Sequence, residues 1–159
     1  MEPQKLLAVL ARHPFAEELR REHVEKLAEC AREMCFARDT VIFPEGDECH
    51  EFYLIIKGRV ALEMVAPKHT LRVQTLSAGD EFGWSAVLMG GRKHFQARAL
   101  EPVTALAIDG TELLEACRQD TSLGFALMYR MLGVVSQRLQ ATRLQLHDMY
   151  SPTSKFAGN

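Results

Sequence analysis

The chain has 159 residues, of which 47% are apolar and 25% are charged, an ordinary composition for one globular domain with a sizeable core. Nineteen basic residues against twenty-one acidic ones give a formal charge of −2, which excludes a broad cationic surface for nucleic acid or anionic lipid. No apolar run approaches the ~18 residues of a membrane span, and the first residues lack the charged-then-apolar pattern of a signal peptide.

Short helices are predicted for residues 3–32, which would lead into the rest of the domain. His13 precedes a proline, and a residue in that position is biased away from the helical conformation, so the first helix should end there. After it, apolar residues recur at the spacing of one helix face. They are Leu19, Val24, Leu27, Ala28 and Ala31.

The pattern changes to short β runs between residues 34 and 109. These runs are apolar or alternating, and turn sequences rich in Gly, Pro and Asp separate them. Turns this frequent, with no helix between them, indicate an antiparallel sandwich or barrel. The runs cover residues 41–43, 52–56, 60–65, 71–76 and 103–108.

Helical patterns return after Gly110. Residues 111–118 suit one short helix, and the sequence Asp-Thr-Ser at 120–122 can cap a long helix that ends near Tyr150. The long helix would span ~40 Å at ~1.5 Å per residue, which is longer than the core of so small a domain requires. Residues 151–159 are expected to form a flexible tail.

Seven residues of the long helix are spaced 4-3-4-3-4-3, the heptad pattern of a coiled-coil seam. A second apolar face adjoins this seam. In one interpretation, the seam and the adjoining face form a single broad stripe that packs against the core. In the other, one face packs against the barrel and the seam packs against a partner helix. Because the seam continues beyond the reach of a small barrel, we expect a parallel homodimer. The seam residues are Met128, Leu132, Val135, Leu139, Thr142, Leu146 and Met149, and the adjoining face consists of Leu123, Leu127, Met131 and Val134.

A glycine-rich stretch at residues 79–94 carries the clearest chemical signal. It reads as a strand end, a tight turn at Gly83, one short helical turn and a basic loop. Such a turn aims several backbone N–H groups at one point, which is the geometry of an anion cradle. Arg92 and Lys93 would add positive charge there. We call residues 83–94 the cassette.

Five motifs follow one another along the chain: Phe-Pro-Glu-Gly-Asp at 43–47, Phe-Tyr-Leu-Ile at 52–55, Gly-Arg-Val at 58–60, Leu-Ser-Ala-Gly-Asp at 76–80 and Phe-Gly at 82–83. With these motifs the chain resembles the cyclic nucleotide-binding domain. That domain is the sensor module of the catabolite activator and fumarate–nitrate regulator superfamily, of kinase regulatory subunits and of some channels. The chain looks like the short bacterial form that stands alone without a DNA-binding domain.

The resemblance implies an α+β fold. Its centre would be an antiparallel β-roll, a jelly-roll-like double-stranded β-helix, flanked by N-terminal helices and a long C-terminal dimerisation helix. The domain would cover residues 1–150, with a helical lead-in at 3–32, the roll at 34–109 and the C-terminal helices at 111–150. In the family's bacterial regulators the last helix forms the dimer seam and reaches the ligand.

Family members that bind cyclic AMP use a glutamate for the ribose 2′-hydroxyl and an arginine for the cyclic phosphate. Here the glutamate position holds Trp84 and the arginine position holds Lys93. Lysine can neutralise a phosphate but cannot clasp it with two hydrogen bonds, and an indole accepts no hydrogen bond from a hydroxyl. The lost acceptor would cost ~1–3 kcal/mol of binding free energy, a factor of roughly 5 to 150 in affinity. The residues that the resemblance assigns to the ligand site are Gly83, Trp84, Ser85, Ala86, Arg92, Lys93, His94, Thr142 and Arg143.

Three of these residues have a second interpretation. Thr142 aligns with a threonine that touches the purine edge in some members, but a lone polar residue on a seam also sets the register of the helices. Trp84 would either fill the pocket as a core residue or stack on a flat ligand. His94 is either a solvent-exposed loop residue or a group whose protonation is linked to function.

The sequence therefore predicts a non-enzymatic, ligand-sensing regulatory module that takes a cyclic nucleotide or another small anionic ligand. The alternative is a degenerate, ligand-free dimeric scaffold, with its pocket filled by Trp84 and Phe95, that acts through protein–protein contacts. An enzyme is not expected, because no catalytic set is evident and the histidines lack the His-x-His spacing of cupin metal sites. No catalytic residue, metal site or obligatory cofactor is predicted.

The expected partners are a second copy of the chain and a separate effector protein. Direct DNA binding is not expected, because a helix-turn-helix domain cannot be built from the residues after the long helix. The four cysteines include no Cys-x-x-Cys pair, which favours reduced thiols and a cytoplasmic location without membrane contact.

Overall fold

Helices occupy both ends of the chain and strands occupy its middle, in the order that the sequence patterns predict. The computed structural model describes residues 1–48, 50–87 and 92–150. The tail predicted at 151–159 lies outside these residues, and so does the part of the cassette at 88–91.

Within the described residues, four α-helices flank the strands. The long C-terminal helix begins where its capping sequence predicts, because Asp120 Oδ1 accepts hydrogen bonds from the backbone N–H groups of Ser122 and Leu123 at 3.1 and 3.2 Å. The helices are α1 (Pro3–Ala11), α2 (Arg21–Glu29), α3 (Gly110–Gln119) and α4 (Thr121–Tyr150).

The strands form two four-stranded sheets in which every pair is antiparallel, within the part of the chain that the structure describes. The strands are β1 (Ala31–Phe36), β2 (Val41–Phe43), β3 (Glu51–Lys57), β4 (Val60–Ala66), β5 (His69–Leu76), β6 (Glu81–Phe82), β7 (Gln96–Ala99) and β8 (Val103–Asp109). Their order is β1-β8-β3-β6 in the first sheet and β2-β7-β4-β5 in the second. The predicted α+β fold with an antiparallel β-roll is therefore confirmed.

The boundary between the helical lead-in and the roll differs from the prediction. Helix α2 ends at Glu29, and Ala31, which the sequence places on a helix face, is the first residue of β1. The reason is tertiary pairing: β1 pairs with β8 along its whole length, from Ala31 opposite Ile108 to Phe36 opposite Val103. The helical lead-in predicted at 3–32 therefore ends at Glu29, and the roll begins three residues earlier than residue 34.

The centre of strand β3, in the first sheet, is buried on both faces. Phe52 and Leu54 of β3 pack against the helices, in a cluster that also contains Leu10, Leu123 and Leu127. The alternating residues of the same strand point into the roll, where the rings of Tyr53 and Phe82 stack with centroids 4.8 Å apart. Because side chains of a strand alternate between faces, one strand joins the helix-side core to the interior of the roll.

Helix α4 has two distinct apolar faces. Its roll-facing residues Leu123, Leu127, Met131 and Val134 are buried, as the sequence predicts for the face that covers the barrel. The predicted seam lies elsewhere on the helix surface and is largely exposed, with Leu132 at 67% and Leu139 at 61% of full exposure. The interpretation as one broad core-facing stripe is therefore wrong, and the homodimer stays a prediction.

A buried histidine anchors the N-terminal segment to the roll. His13 Nδ1 accepts a hydrogen bond from the backbone N–H of Phe15 at 3.1 Å, and the Phe15 ring lies 5.2 Å from that of Phe52. Because burial disfavours the charged imidazolium, the pKa of His13 is lowered from its usual value, although the nearby Asp80 carboxylate opposes this shift.

Acidification is expected to destabilise the protein through His13. Its pKa in the folded state lies below that of the unfolded chain, about 6.5, so its stabilising contribution is present above that pH and is lost as the pH falls through the folded value. Between the unfolded and the folded pKa, the free energy of unfolding falls by at most about 1.4 kcal/mol per pH unit. Urea unfolding at neutral and mildly acidic pH should show a smaller pH dependence for His13→Asn, which keeps an acceptor for the Phe15 N–H, than for the wild type. An unchanged pH dependence in the variant would contradict the assignment.

Candidate functional site

The cassette begins with a backbone turn that requires glycine. Gly83 follows β6 and has a φ of +77°, a conformation that residues with a side chain rarely adopt. A Cβ atom at this position would lie 2.8 Å from the carbonyl oxygen of Glu51. The carbonyl of Gly83 accepts a hydrogen bond from the N–H of Ala86 at 3.0 Å, which closes the short 3₁₀ turn Trp84–Val87. We call Trp84–Val87 the cassette turn.

The cassette turn is held against the frame of the fold. Its residues Ala86 and Val87 are buried in the helix-side core, and Trp84 is half-buried against the same cluster. Gly110, at the start of α3, donates its N–H to the carbonyl of His50 at 2.8 Å, and a Cβ atom added to it would lie 2.4 Å from the carbonyl oxygen of Ala86. The turn, the entry to β3 and the start of α3 therefore meet with their backbones in contact.

Lys93 closes the cassette from the other side. Its side chain is only 3% exposed, and its Nζ donates hydrogen bonds to the carbonyl oxygens of Gly83 at 2.9 Å and Glu51 at 3.1 Å. The Nζ also lies 4.9 Å from the centre of the Phe43 ring. A buried ammonium is tolerated only when such groups replace its hydration, so the contacts fix Lys93 in this position. Lys93, a cation expected at the anion cradle, is thus hydrogen-bonded to backbone carbonyls of the protein itself.

The space between these groups is very small. The cavity beside Lys93 measures about 30 Å³, the volume of one water molecule in the liquid. Sites for drug-sized ligands measure roughly 300–1,000 Å³, so the space that the described cassette residues leave beside Lys93 is closed to such ligands in this conformation. The cavity is lined by Phe43, Leu62, Gly83, Trp84, Ser85, Lys93, His94 and Phe95.

The structure brings together five of the residues assigned to the ligand site and separates the others from them. Arg92 is exposed and pairs with Glu48 at 3.4 Å, so it does not line the cavity. Thr142 and Arg143 are exposed on α4, and Thr142 Oγ1 donates to the carbonyl of Arg138 at 2.9 Å. Ala86 is buried within the cassette turn without lining the cavity. The five residues that do line it are Gly83, Trp84, Ser85, Lys93 and His94.

Two groups that define this site are not among the residues predicted from the sequence. The carbonyl of Glu51 holds Lys93, although the two residues are 42 positions apart, and Phe43 supplies the ring beside the ammonium. Phe43 begins the first of the motifs that carried the fold resemblance, and Glu51 directly precedes the second, but no local spacing indicates that either lies beside Lys93.

Helix α4 contacts the strand that leads into the cassette. The Arg138 guanidinium donates a hydrogen bond to the carbonyl of Glu81, lies 3.8 Å from the Glu81 carboxylate and 3.4 Å from the side-chain oxygen of Gln74. Both charged side chains are only 15% exposed. Burial raises the pKa of Glu81 and lowers the pKa of Arg138, while the charge of each partner opposes the other's shift.

The residues that the structure describes contain neither a metal-binding cluster nor a membrane-spanning helix. No three side chains of His, Cys, Asp or Glu come close enough together to hold a metal ion. No helix in these residues combines the length and the apolar character that a membrane span needs.

Residues 33–120, more than half of the chain, match the protein-family model described as the cyclic nucleotide-binding domain. Among curated proteins, a cAMP/cGMP-dependent 3′,5′-cAMP/cGMP phosphodiesterase B of Dictyostelium discoideum is 30% identical over 104 residues. That match covers 61% of this chain but only 9% of the relative, so the chain spans about a tenth of its length.

Solved structures share the fold. A protein of Geobacter metallireducens GS-15, named for cyclic nucleotide binding, is 27% identical with a TM-score of 0.73, over 87% of this chain and 98% of that one. A cyclic nucleotide-binding domain from Methylobacillus flagellatus KT is 19% identical with a TM-score of 0.76, over 99% and 85%. The catabolite activator protein of Thermus thermophilus is 22% identical with a TM-score of 0.70, over 86% and 62%.

Proposed function

The chain belongs to the cyclic nucleotide-binding domain family, and on that premise we propose that it is a non-enzymatic regulatory module that senses a small anionic ligand at the cassette. The observation that carries the proposal is the position of Lys93, whose ammonium lies beside the glycine turn and bonds to the carbonyl of Gly83. A cyclic nucleotide or a related phosphate would replace the two backbone carbonyls as the partner of that ammonium. The phosphodiesterase activity named for the Dictyostelium relative is not part of this proposal.

Ligand binding requires the cassette to open. Lys93 must exchange its bonds to Gly83 and Glu51 for bonds to the ligand, and the 30 Å³ cavity must expand. Hydrogen bonds to a charged group contribute about 1.5–3 kcal/mol each, so the closed form competes with the ligand. The apparent affinity falls in proportion to the population of the open form. We therefore expect micromolar rather than nanomolar binding of cyclic nucleotides.

The proposed output is a change at α4. We propose that two copies associate in parallel through the seam, and that Thr142 and Arg143 face the ligand only in that assembly. Phe125 extends the seam by one position, because it lies seven residues before Leu132 and is 75% exposed. A separate effector protein would respond to the dimer, without direct contact between this chain and DNA. The cytoplasmic location stays a prediction.

One observation favours the alternative function, a ligand-free dimeric scaffold. The donors of Lys93 have partners within the protein, and Trp84, His94 and Phe95 close the remaining space around them. A site that is complete without a ligand would give a domain that acts only through the surface of α4.

Titration calorimetry with cyclic AMP, cyclic GMP and a cyclic dinucleotide, with fluorescence recorded in parallel, decides between the two. Trp84 is the only tryptophan, so its emission reports on the cassette turn alone. We expect micromolar binding with a change in emission, and a Trp84→Glu variant that binds about 5 to 150 times more tightly because it restores the acceptor for the ribose hydroxyl.

A matched pair of lysine variants gives the control. Lys93→Ala is expected to abolish the binding measured for the wild type, whereas Lys68→Ala, on the exposed turn between β4 and β5, should leave it unchanged. The absence of heat with the whole panel, for both the wild type and Trp84→Glu, would overturn the ligand-sensing proposal and leave the scaffold.

A further inference from the structure

Helix α4 is hydrogen-bonded to the free edges of both sheets. Strand β6 lies at one edge of the first sheet and β5 at one edge of the second, so each has carbonyl groups to which no neighbouring strand donates a hydrogen bond. Arg138 donates to the carbonyl of Glu81 in β6, and Gln145 Nε2 donates to the carbonyl of Val73 in β5 at 3.0 Å. The same helix therefore spans the open side of the roll and contacts both edges.

The edge at β6 is also the edge that carries the cassette. Within residues 81–83, Arg138 bonds to the carbonyl at one end and Lys93 bonds to the carbonyl of Gly83 at the other. Strand β6 is short and pairs only with β3, through Tyr53 opposite Phe82 and Leu54 opposite Glu81. The two bonded carbonyls are thus separated by Phe82 alone, which is fully buried and stacks on Tyr53.

We infer that Arg138 is the positioning residue that couples the state of the cassette to α4. When Lys93 holds Gly83, the carbonyl of Glu81 is in place for Arg138 and the middle of α4 is fixed to the roll. When Lys93 is released, β6 moves, the Arg138 contact is lost and α4 is free to change its packing. This inference rests on the proposed function for its ligand, but the coupling itself is a property of the unliganded chain.

The character of the Glu81–Arg138 pair supports this role. Taking both groups out of water costs free energy that their attraction need not repay, so a pair of this kind is weak evidence for stability. Arg138 Nε is buried and has no hydrogen-bond partner in the described part of the chain. Asp80 and Arg130 are the other charged groups that act on Glu81, and neither replaces the bond between Arg138 and the Glu81 carbonyl. The role of the guanidinium is therefore positional, because it fixes α4 to one carbonyl of an edge strand.

A double-mutant cycle tests the coupling without a ligand. Lys93→Met keeps the aliphatic stem and removes the ammonium, Arg138→Met removes the guanidinium, and amide hydrogen exchange is measured in residues 81–83 and 136–146 for each variant and for the double variant. We expect Lys93→Met alone to speed exchange in α4 at least ten-fold. In the Arg138→Met background, where the connection is already broken, Lys93→Met should not change exchange in α4 further.

Arg130→Met is the matched control. Arg130 also projects from α4 and its charge acts on Glu81, but its hydrogen bonds go to the carbonyl oxygens of Pro14 and Phe15 rather than to the carbonyl of Glu81. Acrylamide quenching of Trp84 should increase in Arg138→Met and stay at the wild-type level in Arg130→Met. Equal increases in both variants would mean that any loosening of α4 exposes the tryptophan, and would overturn the specific role of Arg138.

Additive effects of the two methionine substitutions on α4 exchange would also overturn the inference. If Arg138→Met does not fold, Arg138→Lys serves in its place, because it keeps the charge but cannot contact Glu81 and Gln74 together. The result of this cycle does not depend on the calorimetric titrations. If the cycle shows coupling but no cyclic nucleotide binds, the role of Arg138 stands and only the ligand of the proposed function is contradicted.

Discussion

Alanine at Gly110 is expected to destabilise the folded chain by about 2–3 kcal/mol and to displace the cassette turn. The added Cβ would lie 2.4 Å from the carbonyl oxygen of Ala86 and 3.0 Å from that of His50, and both contacts are with backbone atoms that cannot rotate away. Either the start of α3 or the cassette turn must therefore move. Urea unfolding measures the first effect, and the emission of Trp84 in the native state measures the second.

Gly133→Ala provides the control for the effect of a methyl group at a helical glycine. Gly133 lies in α4, and a Cβ there meets nothing within 4 Å. Replacing it should stabilise the protein by about 0.5–1 kcal/mol, because alanine loses less backbone entropy in a helix. A Gly110→Ala variant with wild-type stability and unchanged Trp84 emission would contradict the proposed contact between α3 and the cassette turn.

The fold could be predicted from sequence because its signals are local. Turn residues between short apolar runs identify the roll, and the polar cap at Asp120 identifies the start of α4. The error at Ala31 shows where local signals fail, since that residue joins a strand whose partner, β8, lies more than seventy positions away. The predicted runs also lack β1 and β7, and β6 was expected only as a strand end before the turn at Gly83, because these strands are defined by their neighbours in the sheet rather than by their own pattern.

The sequence predicts most of the residues that gather at the candidate site, but not the directions in which their side chains point. Two adjacent cations were expected beside the anion cradle, yet Lys93 turns inward and Arg92 turns to solvent. Neighbouring residues of an extended segment point in opposite directions, and which one faces inward is set by the backbone bonds of Lys93 to Gly46 and Asp47, at 2.8 and 3.0 Å. Those bonds join segments about 46 positions apart in sequence, so no local pattern reports them.

The closed cassette and the exposed seam are the two features that a regulatory role for this domain would connect. A regulatory domain needs two arrangements of similar free energy, and a ligand shifts the balance only by its difference in affinity for the two. The closed arrangement is stabilised by the two carbonyl bonds of Lys93, and the seam offers a surface whose association could favour one position of α4. If the dimer and the closed cassette are coupled through Arg138, ligand binding and dimerisation must affect each other by the same factor.

Glutamate at both Leu132 and Leu139 is expected to convert the proposed dimer into a monomer. These leucines lie seven residues apart at equivalent positions of the heptad, so in a parallel pair each glutamate would face its own copy on the partner helix. Like charges brought together at an interface that excludes water cost several kcal/mol, and we expect a rise of at least about 1,000-fold in the dissociation constant, or about 4 kcal/mol. Sedimentation equilibrium over a range of protein concentrations measures it.

Leu144→Glu is the control that separates the seam from general hydrophobicity. Leu144 is as exposed as Leu132, at 66%, but lies two positions beyond Thr142 and therefore off the seam. Because none of these side chains is buried within one chain, each variant should keep the thermal stability of the isolated domain, and only the double seam variant should dissociate. If Leu144→Glu dissociates the protein as well, the contact involves a different face of α4 and the parallel seam is wrong. If all variants and the wild type are monomeric, α4 must transmit the state of the cassette to a partner other than a second copy.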